Sequence, residues 1–147
     1  MRVSFLLCGI SSSLFFCTAS LSPDGRTLLS VGDSPRVYLH SLSGSAQLTF
    51  NRTKTLHVPP PMSPPPSLVS LSTAWSADGL KFAVACQEGV VAIWDVRNTK
   101  PMKVLYTNYA SYGRASSPQN VKFSGVGGQA GHEIMTYAEV CICSIVS

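Results

Sequence analysis

The sequence predicts an all-β chain assembled from repeated four-stranded antiparallel units, and three observations carry that prediction. Its apolar runs are short and rich in Val, Leu, Ile and aromatics, with Asp-Gly, Ser-Pro and Glu-Gly between them, which is the pattern of strands joined by tight turns. One turn sequence occurs twice, as Ser22-Pro-Asp-Gly25 and Ser76-Ala-Asp-Gly79, 54 residues apart, so the chain repeats itself. Each unit around that turn has room for four strands, and four strands in a period of about 40 to 50 residues make one blade of a β-propeller. The expected fold is an unclosed β-propeller of about two and a half four-stranded antiparallel blades.

Residues 1–16 form an apolar N-terminal segment. Met1-Arg2 followed by Val3 to Ile10 and Leu14 to Phe16 reads either as strand material or as a signal-like stretch with cleavage near Ala19, and it is too short and too broken by serines to span a membrane. Blade one covers 17–50. Ala19-Ser-Leu21 enters the turn, Leu28-Leu-Ser-Val31 leaves it, and a break at Gly32-Asp-Ser-Pro35 precedes Val37-Tyr-Leu39; Ala46 to Phe50 is the expected fourth strand. Asp-Gly supplies the left-handed conformation that such a hairpin needs at little steric cost.

Residues 51–67 are expected to form a proline-rich loop. Six of the ten prolines lie between Pro59 and Pro66, where fixed φ and missing N–H groups favour a stiff polyproline-like spacer; Pro61-Met-Ser-Pro64 also satisfies the minimal pattern of proline-recognising domains. Blade two spans 68–107. Its strands are Thr73-Ala-Trp75, Phe82-Ala-Val-Ala85, Val91-Ala-Ile-Trp94 and Met102 to Tyr106, with Gln87-Glu-Gly89 as the middle turn. A second loop follows over 108–119. Residues 120–147 begin a partial third blade at Val121-Lys-Phe-Ser124, interrupted by the glycine-rich insertion Gly125 to Gly131 and resumed at Glu133 to Tyr137; the apolar end, Cys141 to Ser147, fits the repeat poorly. Both long loops join a fourth strand to the next first strand. They therefore belong on one rim, and that rim is the expected place for partners.

Ser76-Ala-Asp-Gly79, Lys81 to Cys86, Glu88-Gly89 and Val91-Ala-Ile-Trp-Asp-Val96 together resemble the WD-repeat β-propellers, matching that repeat's first turn, second strand, middle turn and third strand in order. The resemblance extends with weaker residues over about 18 to 138 and is closest to an uncharacterised fungal WD-repeat group. It implies structural roles for Ser22, Pro23, Asp24, Gly25, Ser76, Asp78, Gly79, Gly89, Trp94 and Asp95. It also implies a non-catalytic scaffold that docks protein partners. The departures are specific. Members often tie their strands through a His, a Ser or Thr, an Asp and the Trp; here Val84 and Glu88 stand in the second unit at the hydroxyl and Asp positions, and no Gly-His precedes them. The first unit keeps Ser30 but has His40-Ser41 for Trp-Asp, and Thr136 is expected at the hydroxyl position of the third. Trp94 is therefore expected to pack rather than to close a polar network.

Composition narrows the alternatives. A chain of 147 residues that is 45% apolar can bury a core, yet only 12% of it is charged, and its net charge of +4 is scattered, so no nucleic-acid footprint or membrane span is expected. Arg97, Lys100 and Lys103 crowd together only as a solvated turn would. The five cysteines include no C-x-x-C pair, and His40, His57 and His132 lie far from them, so no metal, disulfide framework or cofactor is expected. No nucleophile elbow or paired carboxylates appear, and Gly125-Val-Gly-Gly-Gln-Ala130 lacks the following helix that a dinucleotide site requires. No catalytic residue is assigned. Asn51-Arg-Thr53 is a glycosylation sequon that matters only for a secreted product. The sequence thus points to a cytoplasmic or nuclear scaffold, a truncated member needing further blades from a longer chain or another chain; the alternative is a secreted or glycosylated propeller, or a propeller hydrolase fragment.

Overall fold

A computed structural model describes residues 18–44, 47–61, 69–107, 117–124 and 133–140. Ten strands and no helix are present among these residues: β1 (Thr18–Leu21), β2 (Thr27–Gly32), β3 (Ser34–Ser43), β4 (Thr49–His57), β5 (Ser70–Trp75), β6 (Lys81–Cys86), β7 (Val90–Asp95), β8 (Lys103–Tyr106), β9 (Ser117–Phe123) and β10 (Met135–Val140). They form three antiparallel sheets, two meanders of four strands (β1 to β4 and β5 to β8) and the pair β9 and β10. This is the expected unclosed arrangement of two four-stranded blades and part of a third. The N-terminal segment 1–16, the P-x-x-P stretch from Met62 to Pro64, the center of the second loop at 108–116, the insertion 125–131 and the end 141–147 lie outside the described residues.

Each first hairpin is made by local chemistry. In the first sheet the Gly25 N–H donates to the Ser22 carbonyl at 2.9 Å, the Ser22 hydroxyl donates to Asp24 at 2.5 Å, and Asp24 accepts the Arg26 N–H at 3.0 Å. The second repeats this at Ser76, Asp78, Gly79 and Leu80, with distances of 3.0, 2.5 and 2.9 Å. Gly25 and Gly79 share a φ of 71°, a conformation in which a β-carbon is strained. The repeat seen in the sequence is thus a repeat of one hydrogen-bonded turn.

Alternation along the strands divides the molecule into two cores. Leu29, Val31, Val37, Leu39, Leu56 and Val58 of the first sheet meet Phe82, Val84, Cys86, Val90, Ala92 and Trp94 of the second. On the other face of that second sheet, Ala83, Ala85, Val91 and Ile93 meet Val121, with Phe123, Met135 and Tyr137 packed alongside. The middle sheet is buried on both faces, which is why β6 and β7 read as continuous apolar runs rather than as alternating ones.

Three expectations are corrected: β9 begins at Ser117 inside the loop expected over 108–119, one fourth strand is displaced, and one side-chain position shifts. The fourth strand of the first sheet is Thr49–His57 rather than residues 46 to 50, so Asn51 to His57 extend the ladder to β3 instead of opening the loop. Most of β4 is exposed at the outer edge, where an apolar face is not required and the sequence signal of a strand is correspondingly weak. In the third sheet Tyr137 pairs with Val121 as Val84 pairs with Thr73, so Tyr137 takes the position expected for Thr136. Thr136 pairs with Lys122 and is exposed on the opposite face, because a one-residue change of register inverts every side chain.

Candidate functional site

Eight of the ten residues singled out by the repeat occupy three turns, and Trp94 and Asp95 lie on β7. Ser22, Pro23, Asp24 and Gly25 form the β1–β2 turn, Ser76, Asp78 and Gly79 the β5–β6 turn, and Gly89, with a φ of 81°, the β6–β7 turn. Both aspartates are held below the usual carboxylate range, chiefly by the serine hydroxyl and then by the backbone N–H that each accepts. Their carboxylates are committed to the hairpins. Asp95, at the end of β7, is likewise held far down by the Arg97 guanidinium, whose Nε donates to it at 2.8 Å.

Trp94 is fully buried and stacks on Phe82, with ring centroids 5.4 Å apart and planes 11° from parallel. Among the described residues its indole N–H has no hydrogen-bond partner, nor does the buried Nδ1 of His40 in the equivalent register opposite Leu28. Trp94 thus packs, as the sequence reading expects, and the polar tie is made at the turn instead. Glu88 turns both carboxylate oxygens to the Val69 N–H, at 3.2 Å each, and so ties the β6–β7 turn to the chain entering β5; burial pushes its carboxyl up. Nothing in the local sequence announces this contact, because its partners lie 19 positions apart. Cys86, beneath Ser70, is pushed up to about 12 by burial, so its thiol is protonated and unreactive at neutral pH.

The two ends of the sheets differ in character. The end carrying Val58–Pro61, Val69, Thr107 and the middle turns is tied by backbone bonds from Val58 to Pro35, Gln87 to Val69 and Thr107 to Gly89. The opposite end carries the Asp-Gly hairpins and the turns between third and fourth strands. Leu48, Leu80, Met102 and Ile134 are exposed there, and Phe50 lies one strand residue away. This apolar end was not legible in the sequence, where the same residues are isolated from one another. Among the described residues no group of three or more His, Cys, Asp and Glu is placed to hold a metal ion, and no helix is long and apolar enough to cross a membrane.

Three antiparallel sheets stacked face to face, two of them four-stranded meanders and each with its first strand tied to its neighbor's, define the architecture. The fold is that of a β-propeller. No protein-family model matches the chain, and no curated protein matches it. Among solved structures it is similar to the β-propeller domain of Cps50 (Swd1) from Myceliophteria thermophila, with 14% identity, a TM-score of 0.57, and coverage of 87% of this chain and 39% of that one. It is also similar to U3-55K, with 18% identity, a TM-score of 0.54, and coverage of 79% and 32%. The chain therefore spans well under half the length of either structure.

Proposed function

We propose that this chain is a non-catalytic, WD-repeat-type scaffold for protein–protein interactions, working in the cytoplasm or nucleus as part of a ring whose remaining blades come from a longer chain or from another chain. One observation carries this reading: Asp24, Asp78, Asp95 and Glu133, the carboxylates of the hairpin end, are all bonded to donors that belong to the fold. Groups used in this way rigidify a platform, whereas an acid–base catalyst needs a carboxylate aimed at open space. Kinship with the fungal WD-repeat group is part of the same proposal, supported by the Ser-Ala-Asp-Gly and Trp-Asp sequences. Affinity capture with cross-linking tests it. Recovery of defined protein partners, lost on substitution of rim residues, is the expected result; a hydrolase activity abolished by replacing an Asp or Glu would overturn it.

A second reading is favored by one observation. Asn51 of the Asn-Arg-Thr sequon is exposed on β4, where a glycan would meet solvent. Expression in a secreting host separates the two: a product in the medium whose mass falls with an endoglycosidase supports the secreted form, and a retained, unmodified chain supports the scaffold.

A further inference from the structure

We propose that the outer face of the first sheet is a self-association surface, on which a second copy of this chain docks about a two-fold axis. The inference rests on the unclosed stack of the scaffold reading and names the other chain that continues it. The repeat shows that this face is built to be covered. In the second sheet Trp75, Phe82 and Trp94 stand side by side across β5, β6 and β7, and Phe82 and Trp94 are fully buried where the first sheet packs on them. At positions 54 residues earlier, Leu21, Leu28 and His40 hold the same places in the first sheet and pair in the same register, with Arg52 completing the row on β4. A second row, Ala19, Ser30, Tyr38 and Thr55, runs alongside it. Cross-strand partners share a face, so the two rows form one continuous surface; the Tyr38 ring lies 6.3 Å from that of His40 and 5.5 Å below the Arg52 guanidinium. Leu21, Leu28, Tyr38 and His40 are only half-buried, because among the described residues no strand covers them.

Two features select a second copy as the occupant. The third sheet ends the stack: its outward side carries Asn120, Lys122 and Thr136, with Ile134 the one large apolar side chain among the described residues there, as a polar cap ends an array of repeats. A head-to-tail contact would bring Lys122 toward Arg52. A single apolar face is instead satisfied by its own copy, in an isologous pair that goes no further. The face is also self-complementary. A two-fold axis running across the strands between the two rows lays Leu21 and Leu28 on Ala19 and Ser30 of the second copy, large on small, and sets the row ending in Arg52 against the neutral row ending in Thr55. The flanking rows follow the same rule, with Arg36 and His57 meeting Leu42 and Phe50, so that Phe50, 50% exposed in the single chain, gains a cover. This axis also keeps the first strands of both copies on one side, as a ring requires. Four strands at about 4.8 Å and six residues at about 3.3 Å give a footprint of roughly 400 Å² per copy, at the low end for specific contacts, so the dimer is expected to be reversible.

The test is sedimentation equilibrium of the whole chain over a range of concentrations. A monomer–dimer equilibrium that stops at two copies is expected, with a dissociation constant on the order of 1 to 100 μM. Thr55→Arg, at an exposed position, sets an arginine against the row of the second copy that carries Arg52, and is expected to raise that constant about tenfold. Leu28→Lys puts a charge at the center of the face and is expected to raise it further. Lys122→Glu, on the outward side of the third sheet, is expected to leave it unchanged. An unchanged circular dichroism spectrum verifies that each variant is folded, and Thr55→Arg carries the test if Leu28→Lys does not fold. A chain that stays monomeric at about 100 μM, a dimer indifferent to Thr55→Arg, association that continues past two copies, or association altered by Lys122→Glu would each overturn the inference. Capture of partners judges the scaffold reading separately: a monomer that still recovers defined partners leaves that reading standing, and a dimer that recovers none counts against it alone.

Discussion

At the scale of single residues, Trp94 and Glu88 show how the chain departs from a fully hydrogen-bonded repeat. Trp94 contributes volume and stacking, and its N–H is a buried donor without a partner among the described residues. Trp94→Ala is accordingly expected to cost about 3–5 kcal/mol through loss of the stacked ring and the cavity left behind. Trp94→Phe retains an aromatic against Phe82 and removes the unpaired donor, so it is expected to cost no more than about 1–2 kcal/mol. Urea unfolding of both variants checks the contrast; equal costs would mean that the indole N–H is satisfied. Glu88 raises the opposite issue, a charge that burial disfavors but that the Val69 N–H needs. Because its folded-state carboxyl is raised, the charge opposes folding at neutral pH, and that penalty fades as pH falls toward the ordinary value of 4.5. Glu88→Gln retains the acceptor without the charge and should be at least as stable as the parent at neutral pH, with the difference shrinking on acidification. Glu88→Ala loses the acceptor and should cost about 1 kcal/mol. Denaturation at neutral and mildly acidic pH measures both; a Gln variant less stable at neutral pH would contradict the argument.

At the scale of elements, the Asp-Gly hairpin is the unit that the chain repeats. A β-carbon at Gly79 would meet only Pro23 Cδ at 3.5 Å, an ordinary contact, so the cost of Gly79→Ala comes from its φ of 71° and is expected to be about 1 kcal/mol. Asparagine tolerates that conformation better, so Gly79→Asn should be the milder change, and the order of the two midpoints in urea is the test. Asp78, with its carboxyl depressed by Ser76 and the Leu80 N–H, stabilizes the folded state fully above the ordinary value of 3.8 and loses this contribution as pH falls through its folded value. Asp78→Asn should therefore be less stable than the parent near neutrality and lose less stability in acid. These hairpins were legible in the sequence because everything that shapes them lies within six consecutive residues. β4 was not: Asn51-Arg-Thr-Lys-Thr55 has the polarity of a loop, and it is a strand because the ten-residue β3 beside it offers a ladder to its end. The apolar hairpin end was illegible for a related reason, since Leu80, Met102 and Ile134 come to one end of the molecule only when the sheets are assembled.

At the scale of the whole molecule, the question is what makes separate sheets one body. The third sheet turns Val121, Met135 and Tyr137 to the second and leaves Asn120, Lys122 and Thr136 exposed on its far side, so that outer face is polar. Low overall charge therefore does not leave every face apolar. Polar ties between sheets act in addition to the cores: the Ser20 hydroxyl meets that of Thr73 at 2.9 Å in a buried position, the Trp75 N–H donates to the Ser20 carbonyl at 3.3 Å, and the Lys54 ammonium donates to the Val96 carbonyl. Removing one hydroxyl of the buried pair strands the other. Ser20→Ala and Thr73→Val are each expected to cost about 1–3 kcal/mol, whereas the double variant, which buries no orphan, should cost less than their sum by about 1 kcal/mol. Val121→Ala alters the core on the other face of the second sheet and shares no partner with Ser20, so combining it with Ser20→Ala should be additive to within about 0.5 kcal/mol. A double-mutant cycle in urea distinguishes these cases. Coupling confined to the first pair would show that the sheets are joined pairwise, as in a stack whose stability is a sum of neighbor interfaces; strict additivity of Ser20→Ala with Thr73→Val would mean that the hydroxyl pair holds nothing together.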